Sequence, residues 1–369
     1  MGRLNSLSER KKRHLELYAG LWVIMYLVVT CGIYPGKMRY PVQLGMVPVV
    51  FSLIGLKLMH MDEAEEDTCD IKSAAKGLLL PYLWFSLAGL VIYSAAVMLD
   101  LEGYTAGGLL ENVENALTLY GNNGLWILPA AFLTIAVRSF VKKNGMPFKV
   151  RGTIVTIMFA AFCGILYFTG YNNGRIFDVG SAGAAGVFIR IATVVWRGMM
   201  GAFFCFIGEL LYGMFDRIRK KKLLYVILAF LLIAAGTALA IYTGEMSWED
   251  FSFGKPLITV PAAIAVTTAL YILSVWVDTI PPVDFVGRHA IIIYICAYEF
   301  GAVWLAYNAY VFVLSKLANR FAASCVHALV LVAVIFVLVL IFRRKELSFL
   351  FGYRTFEKPM VEEDYDTYD

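Results

Sequence analysis

Charge and ligand-type side chains are what this chain has least of: Asp, Glu, Lys and Arg make up only 16% of 369 residues. Histidine occurs four times, at His14, His60, His289 and His327, and never in an HxxxH or HExxH arrangement. The six cysteines (Cys31, Cys69, Cys163, Cys205, Cys296 and Cys325) form no CxxC pair. These gaps remove the spacing signatures of a metal centre or a disulfide framework, so the cysteines read as small packing residues and no metal is expected. The apolar runs lack the alternation that membrane barrel strands need. No internal repeat is evident, and no small-residue cleavage site follows the first apolar run, so no cleavable leader is expected. The net charge of +4 comes from basic residues that flank apolar runs, which suits lipid headgroups and gives no reason to expect nucleic acid.

What the chain does have is apolar length. Residues of the apolar classes make up 60% of it and the mean hydropathy is +0.71. Runs near the twenty residues that cross a bilayer as helix fall at 15–33, 43–59, 78–99, 125–141, 154–169, 198–215, 223–243, 258–277, 290–310 and 322–342. This pattern predicts an all-α fold, a polytopic transmembrane helix bundle of about ten spans. Segment 180–196, rich in Gly and Ala and carrying Arg190, reads as an interfacial or re-entrant helix leading into the sixth span, with an eleventh span as the alternative.

The basic residues set the orientation. With both termini cytoplasmic, 24 Lys and Arg fall inside and 6 outside, with Arg190 and Arg197 unassigned, as the positive-inside rule requires. The loop 100–124 has no Lys or Arg and is expected to be the main outward loop. The run from Asp62 to Asp70 and the tail 353–369 are acidic and read as solvated segments, which leaves residues 1–352 as one membrane domain. The plasma membrane is the expected location.

Several segments together resemble the acyltransferase-3 family. MVPVVFSLIGL at 46–56 is similar to the family's second-helix segment, and LLLPYLW at 78–84 to its third-helix entry. GLWILPAAFL at 124–133 resembles the LWFLP-like run, and GMMGAFFCFIGELLY at 198–212 the family's sixth helix. FVGRHAIIIY at 285–294 is similar to its GR-then-IY segment, and Phe351 with Gly352 fits the family's carboxyl end. The resemblance implies an integral-membrane enzyme with no bound cofactor. Its donor would be a cytoplasmic acyl-CoA such as acetyl-CoA, and its acceptor a cell-surface glycan or lipid-linked molecule. The departures are specific. Where the family has a first-helix Arg and, eleven positions on, a His regarded as catalytic, this chain has Ala19 and Thr30. Where it commonly has two Arg before the LLLPY segment stand Ala74 and Gly77, and the His after the IY pair is Ala297.

Acyl transfer from a thioester needs a base near the acceptor hydroxyl, donors for the developing oxyanion and a grip on the donor's phosphates. Ionisable residues inside spans are costly in lipid and turn toward protein or a wet cavity, so Glu209 and Glu299 are the candidate bases. Lys72, Lys76 and Arg288 are the candidate phosphate contacts, and Arg197 with Trp126 the candidate acceptor cavity. Arg197 precedes Glu209 by twelve residues, about 18 Å along a helix, so Arg190 or Arg288 would have to serve as its partner. Arg138 is expected to snorkel to headgroups from the end of its helix. The rival reading is an inactive scaffold of the same type that serves as a transporter, flippase or partner subunit in polysaccharide export.

Overall fold

The computed structural model describes residues 2–30, 36–63, 71–100, 104–122, 124–168, 184–249 and 251–342 apart from 252, 254, 278, 300 and 301, together with 344, 347 and 350. The acidic run beyond Glu63 and the acidic tail lie outside them. The described residues form helices and no strand. In order these are α1 (Gly2–Thr30), α2 (Tyr40–Glu63), α3 (Ile71–Ala74), α4 (Leu80–Met98), α5 (Ala106–Leu117), α6 (Ile127–Lys143) and α7 (Phe148–Phe168). Then come α8 (Ala184–Lys220), α9 (Lys222–Thr243), α10 (Pro256–Val277), α11 (Pro281–Arg288), α12 (Ala290–Glu299), α13 (Ala302–Leu317) and α14 (Arg320–Phe342). A single π turn, Ala75–Leu79, joins α3 to α4.

Among the described residues seven helical stretches are long and apolar enough to cross a membrane by length and composition, which marks a membrane protein. Their apolar residues face outward as well as inward. Leu83, Leu87, Val91 and Ile92 on α4, Leu223, Phe230 and Leu231 on α9, and Leu329 and Val332 on α14 are all exposed. Water would penalise such faces, whereas hydrocarbon does not.

Helix α8 is the centre of the bundle and packs against α2, α6, α7 and α10. It approaches α2 closely because both present glycine at the seam. A β-carbon on Gly55 would overlap the Cys205 carbonyl, and one on Gly208 would overlap the Ser52 carbonyl. Gly201 likewise gives room to Phe51 of α2 and to the Thr134 hydroxyl of α6. Small residues at helix seams let dispersion contacts hold a bundle that has no hydrophobic drive between helices in lipid. The pairing of α1 with α11 repeats the device, since Gly20 lies against the Val283 carbonyl and Gly287 against that of Glu16.

Three expectations change in detail. Segment 180–196 is neither a separate nor a re-entrant element from Ala184 onward. It is the first half of α8, one helix of 37 residues and about 55 Å. The fourth span is displaced two residues from its apolar run 125–141, because residues 124–126 form a turn and the 17 residues of α6 follow it. The ninth run is helical as α12 and α13, with residues 300 and 301 outside the described residues. The loop expected to face outward contains α5, whose first turn is capped by the Thr105 hydroxyl accepting from the Gly108 amide at 3.1 Å.

Candidate functional site

The strongest concentration of chemistry lies where the last turns of α2 and α6, the first turn of α7 and the second half of α8 meet. Glu209, 3% exposed, receives Arg138 Nε on one carboxylate oxygen at 2.6 Å and Arg151 Nη2 on the other at 2.7 Å. Arg138, 8% exposed, also donates from Nη2 to Asp62 at 2.6 Å, and Lys142 Nζ donates to the second Asp62 oxygen at 2.7 Å. The local sequence explains the placement. On α6, Ala131, Thr134, Ile135 and Arg138 recur at helical spacing on one buried face, so the arginine points at α8 and not at lipid. The Gly55 and Gly208 seam brings Asp62 within reach of the same guanidinium.

This overturns two expectations. Arg138 does not snorkel, because its partners are inside the bundle and a buried guanidinium is stable only when paired. The partners of Glu209 are Arg138 and Arg151, and not Arg190 or Arg288. With both oxygens held by guanidinium groups, Glu209 is not free in this arrangement to take a proton from an acceptor hydroxyl. Beside the cluster a small cleft of about 20 Å³, room for about one water behind an open mouth, is lined by Val137, Val155, Cys205 and Phe206 together with the three charged residues of α6, α7 and α8. A second network adjoins it. Lys11 donates to both oxygens of Glu63 at 2.9 and 2.7 Å, the Tyr212 hydroxyl donates to the same carboxylate, and His60 Nδ1 is 3.3 Å from that hydroxyl.

Arg197 and Trp126 do come together. Arg197 is fully buried, with its guanidinium 4.3 Å from the Tyr120 ring centre and 4.9 Å from that of Trp126. Its Nη1 donates to the Tyr120 carbonyl at 2.6 Å, and Nε and Nη2 donate to the Glu249 carbonyl at 3.1 and 3.0 Å. Two connecting segments are thus tied to α8 by one side chain, which acts as an internal clamp. Replacing the planar fork with Met is expected to lower stability by about 3 kcal/mol, and Arg197→Lys to recover only part of it, as read by thermal unfolding in detergent. About two turns earlier on α8, the buried Arg190 donates from Nε to Asn115 Oδ1 at 2.8 Å and pairs with Glu114 at 2.8 Å. Asn115 donates in turn to Asn122 at 3.0 Å.

The remaining candidates are dispersed. Lys72 and Lys76 are exposed and make no ion pair among the described residues. Arg288, half exposed, sits 3.5 Å from Glu16. Glu299 ends α12, and its side chain lies outside the described residues. No group of three or more His, Cys, Asp or Glu among the described residues could hold a metal. Trp22, Tyr26 and Tyr294 form an aromatic cluster with ring centres 4.7 to 6.2 Å apart. Within it the buried Trp22 Nε1 has no acceptor, and the Tyr294 hydroxyl donates to the Gly124 carbonyl. Sequence reasoning missed Arg151, Asp62, Asn115 and Tyr120 as participants. Comparison with known proteins gives no match: no family model fits the chain, and neither a curated protein nor a solved structure resembles it significantly.

Proposed function

We propose that this chain is an integral-membrane acyltransferase of the acyltransferase-3 type, with about ten spans and both termini cytoplasmic in the plasma membrane. It would move an acetyl or similar group from a cytoplasmic acyl-CoA to a cell-envelope glycan or related acceptor. One observation carries the reading. The segments that resemble the family are far apart in sequence, yet they pack on one another: α2 and α6 both pack on α8, and α11 with α12 on α1. Glu299 takes the base role here, because Glu209 is engaged by two guanidinium groups. The Trp22 N–H, buried beside Tyr26 and Tyr294, offers a donor to a polar acceptor entering among the rings. Lys72, Lys76 and Arg288 contact the donor as point charges and a single exposed fork.

Purified protein in nanodiscs should hydrolyse or transfer the acyl group of labelled acetyl-CoA. Glu299→Gln should slow turnover at least a hundredfold, the usual span of a lost general base being about 10²–10⁴. Failure with acetyl, succinyl and longer donors, or an unimpaired variant, would remove the assignment. The second reading, a scaffold that exports or helps to export polysaccharide without transferring a group, is favoured by Ala19 and Thr30 at the family's Arg and His positions. Movement of a labelled lipid-linked glycan across vesicles without acyl transfer would select it.

A further inference from the structure

We propose that the cleft between α6, α7 and α8 binds an anionic phosphate group, carried by a phospholipid headgroup or by a soluble phosphorylated ligand. The ion cluster that forms its floor is not balanced: Arg138, Arg151 and Lys142 supply three cations against the two carboxylates of Asp62 and Glu209. The two arginines are matched by the two carboxylates, so the excess charge is that of Lys142, 40% exposed beside the cleft, and within the cluster one buried donor is left over. Arg151 Nε is buried and has no acceptor among the described residues, while Nη2 of the same group is spent on Glu209. Arg151 lines the cleft, as does Arg138. A planar guanidinium with a free donor edge matches the oxygen spacing of phosphate better than an ammonium does.

The surroundings point the same way. Lys142 is 40% exposed at the rim, and Lys143 at the end of α6 and Lys149 in the first turn of α7 are exposed, so an anion would be drawn to the mouth. The walls are apolar, with Val137, Val155 and Phe206, which fits the glycerol and upper acyl carbons of a lipid. Basic pockets between membrane helices hold anionic headgroups for these reasons. The inference does not rest on acyl transfer, since a headgroup would bind there whether or not the chain is an enzyme.

The test uses the delipidated full chain in neutral detergent, with thermal unfolding and native mass spectrometry as readouts. The probes are mixed micelles containing dioleoylphosphatidylglycerol or dioleoylphosphatidylcholine, and inorganic pyrophosphate. Binding of the anionic lipid alone, seen as a stoichiometric adduct and a rise of several degrees in the unfolding midpoint, identifies a headgroup. The same response to pyrophosphate identifies a soluble source. In either case the affinity should fall at least tenfold in Arg151→Gln/Glu209→Gln, which removes the guanidinium together with the charge it neutralises. If that variant does not fold, Arg151→Lys, which keeps the charge and loses the fork, should bind at least fivefold more weakly. Lys222→Gln, an exposed basic position on α9, should bind as the native chain does. No adduct with any probe, equal binding by the Arg151 variants, or an equal loss in Lys222→Gln would overturn the proposal.

Discussion

Glu209→Leu is expected to lower the stability of the purified protein by about 3–5 kcal/mol, the range found when one partner of a buried ion pair is removed. The residue is 3% exposed and accepts from two arginines, so its loss leaves Arg138 with Asp62 alone and Arg151 with no carboxylate. Two guanidinium groups would then face each other inside the bundle. Most of the cost is the stranded charge and not the lost attraction, which gives the prediction its second half. Arg151→Leu/Glu209→Leu should be more stable than Glu209→Leu, with a coupling energy of at least about 1 kcal/mol between the two sites. Denaturant unfolding in detergent micelles reads both values. A Glu209→Leu protein that unfolds with the native midpoint would mean that these charges are not paired as described.

Gly208→Val should be as damaging by another route. The α2–α8 seam has no space for a β-carbon at this position, because the Ser52 carbonyl of the facing helix occupies it. Backbone cannot rotate aside as a side chain can, so the helices must separate and the contacts around Phe51, Phe204 and Cys205 are lost together. Overpacking commonly costs about 1–3 kcal/mol, and this case belongs at or above the upper end. The separation would also pull Asp62 away from Arg138. Gly213, five residues further along α8, gives the control, since a β-carbon there meets nothing within 4 Å. Gly213→Ala should change stability by no more than about 1 kcal/mol, on the stabilising side. Size-exclusion profiles and thermal midpoints of the two variants distinguish a steric seam from a general intolerance of α8 to change.

The contrast between these two glycines shows what could be read from the sequence. Apolar runs of the right length located the membrane-like helices, because burial in hydrocarbon demands length and composition and little else. Which face of each helix meets another is a finer matter. Arg138 at a helix end is compatible with headgroups or with a protein interior. Only its place on the face of Ala131, Thr134 and Ile135 decides, and that periodicity was present in the sequence. Glu209 was recognisable as a costly charge in a span, but its partners lie 71 and 58 residues away and no local pattern links them. Helix α5 escaped notice because twelve residues do not make a span. Its signature was the Thr105 cap followed by the apolar and polar alternation of LLENVENAL.

Arg197 reads from the sequence as part of an acceptor cavity with Trp126. Its union with Trp126 was anticipated, while its bonds to the Tyr120 and Glu249 carbonyls were not, since backbone acceptors in connecting segments carry no residue-type signal.

A rod of about 55 Å does not fit a hydrocarbon layer of about 30 Å. Even at a lean of about 40°, the steepest usual for such helices, roughly 12 Å of α8 must emerge. No proline interrupts it between Ala184 and Lys220. A tug on the protruding part would therefore travel along a stiff strut to the knot of arginines and carboxylates, so that the two sides of the membrane share one mechanical member.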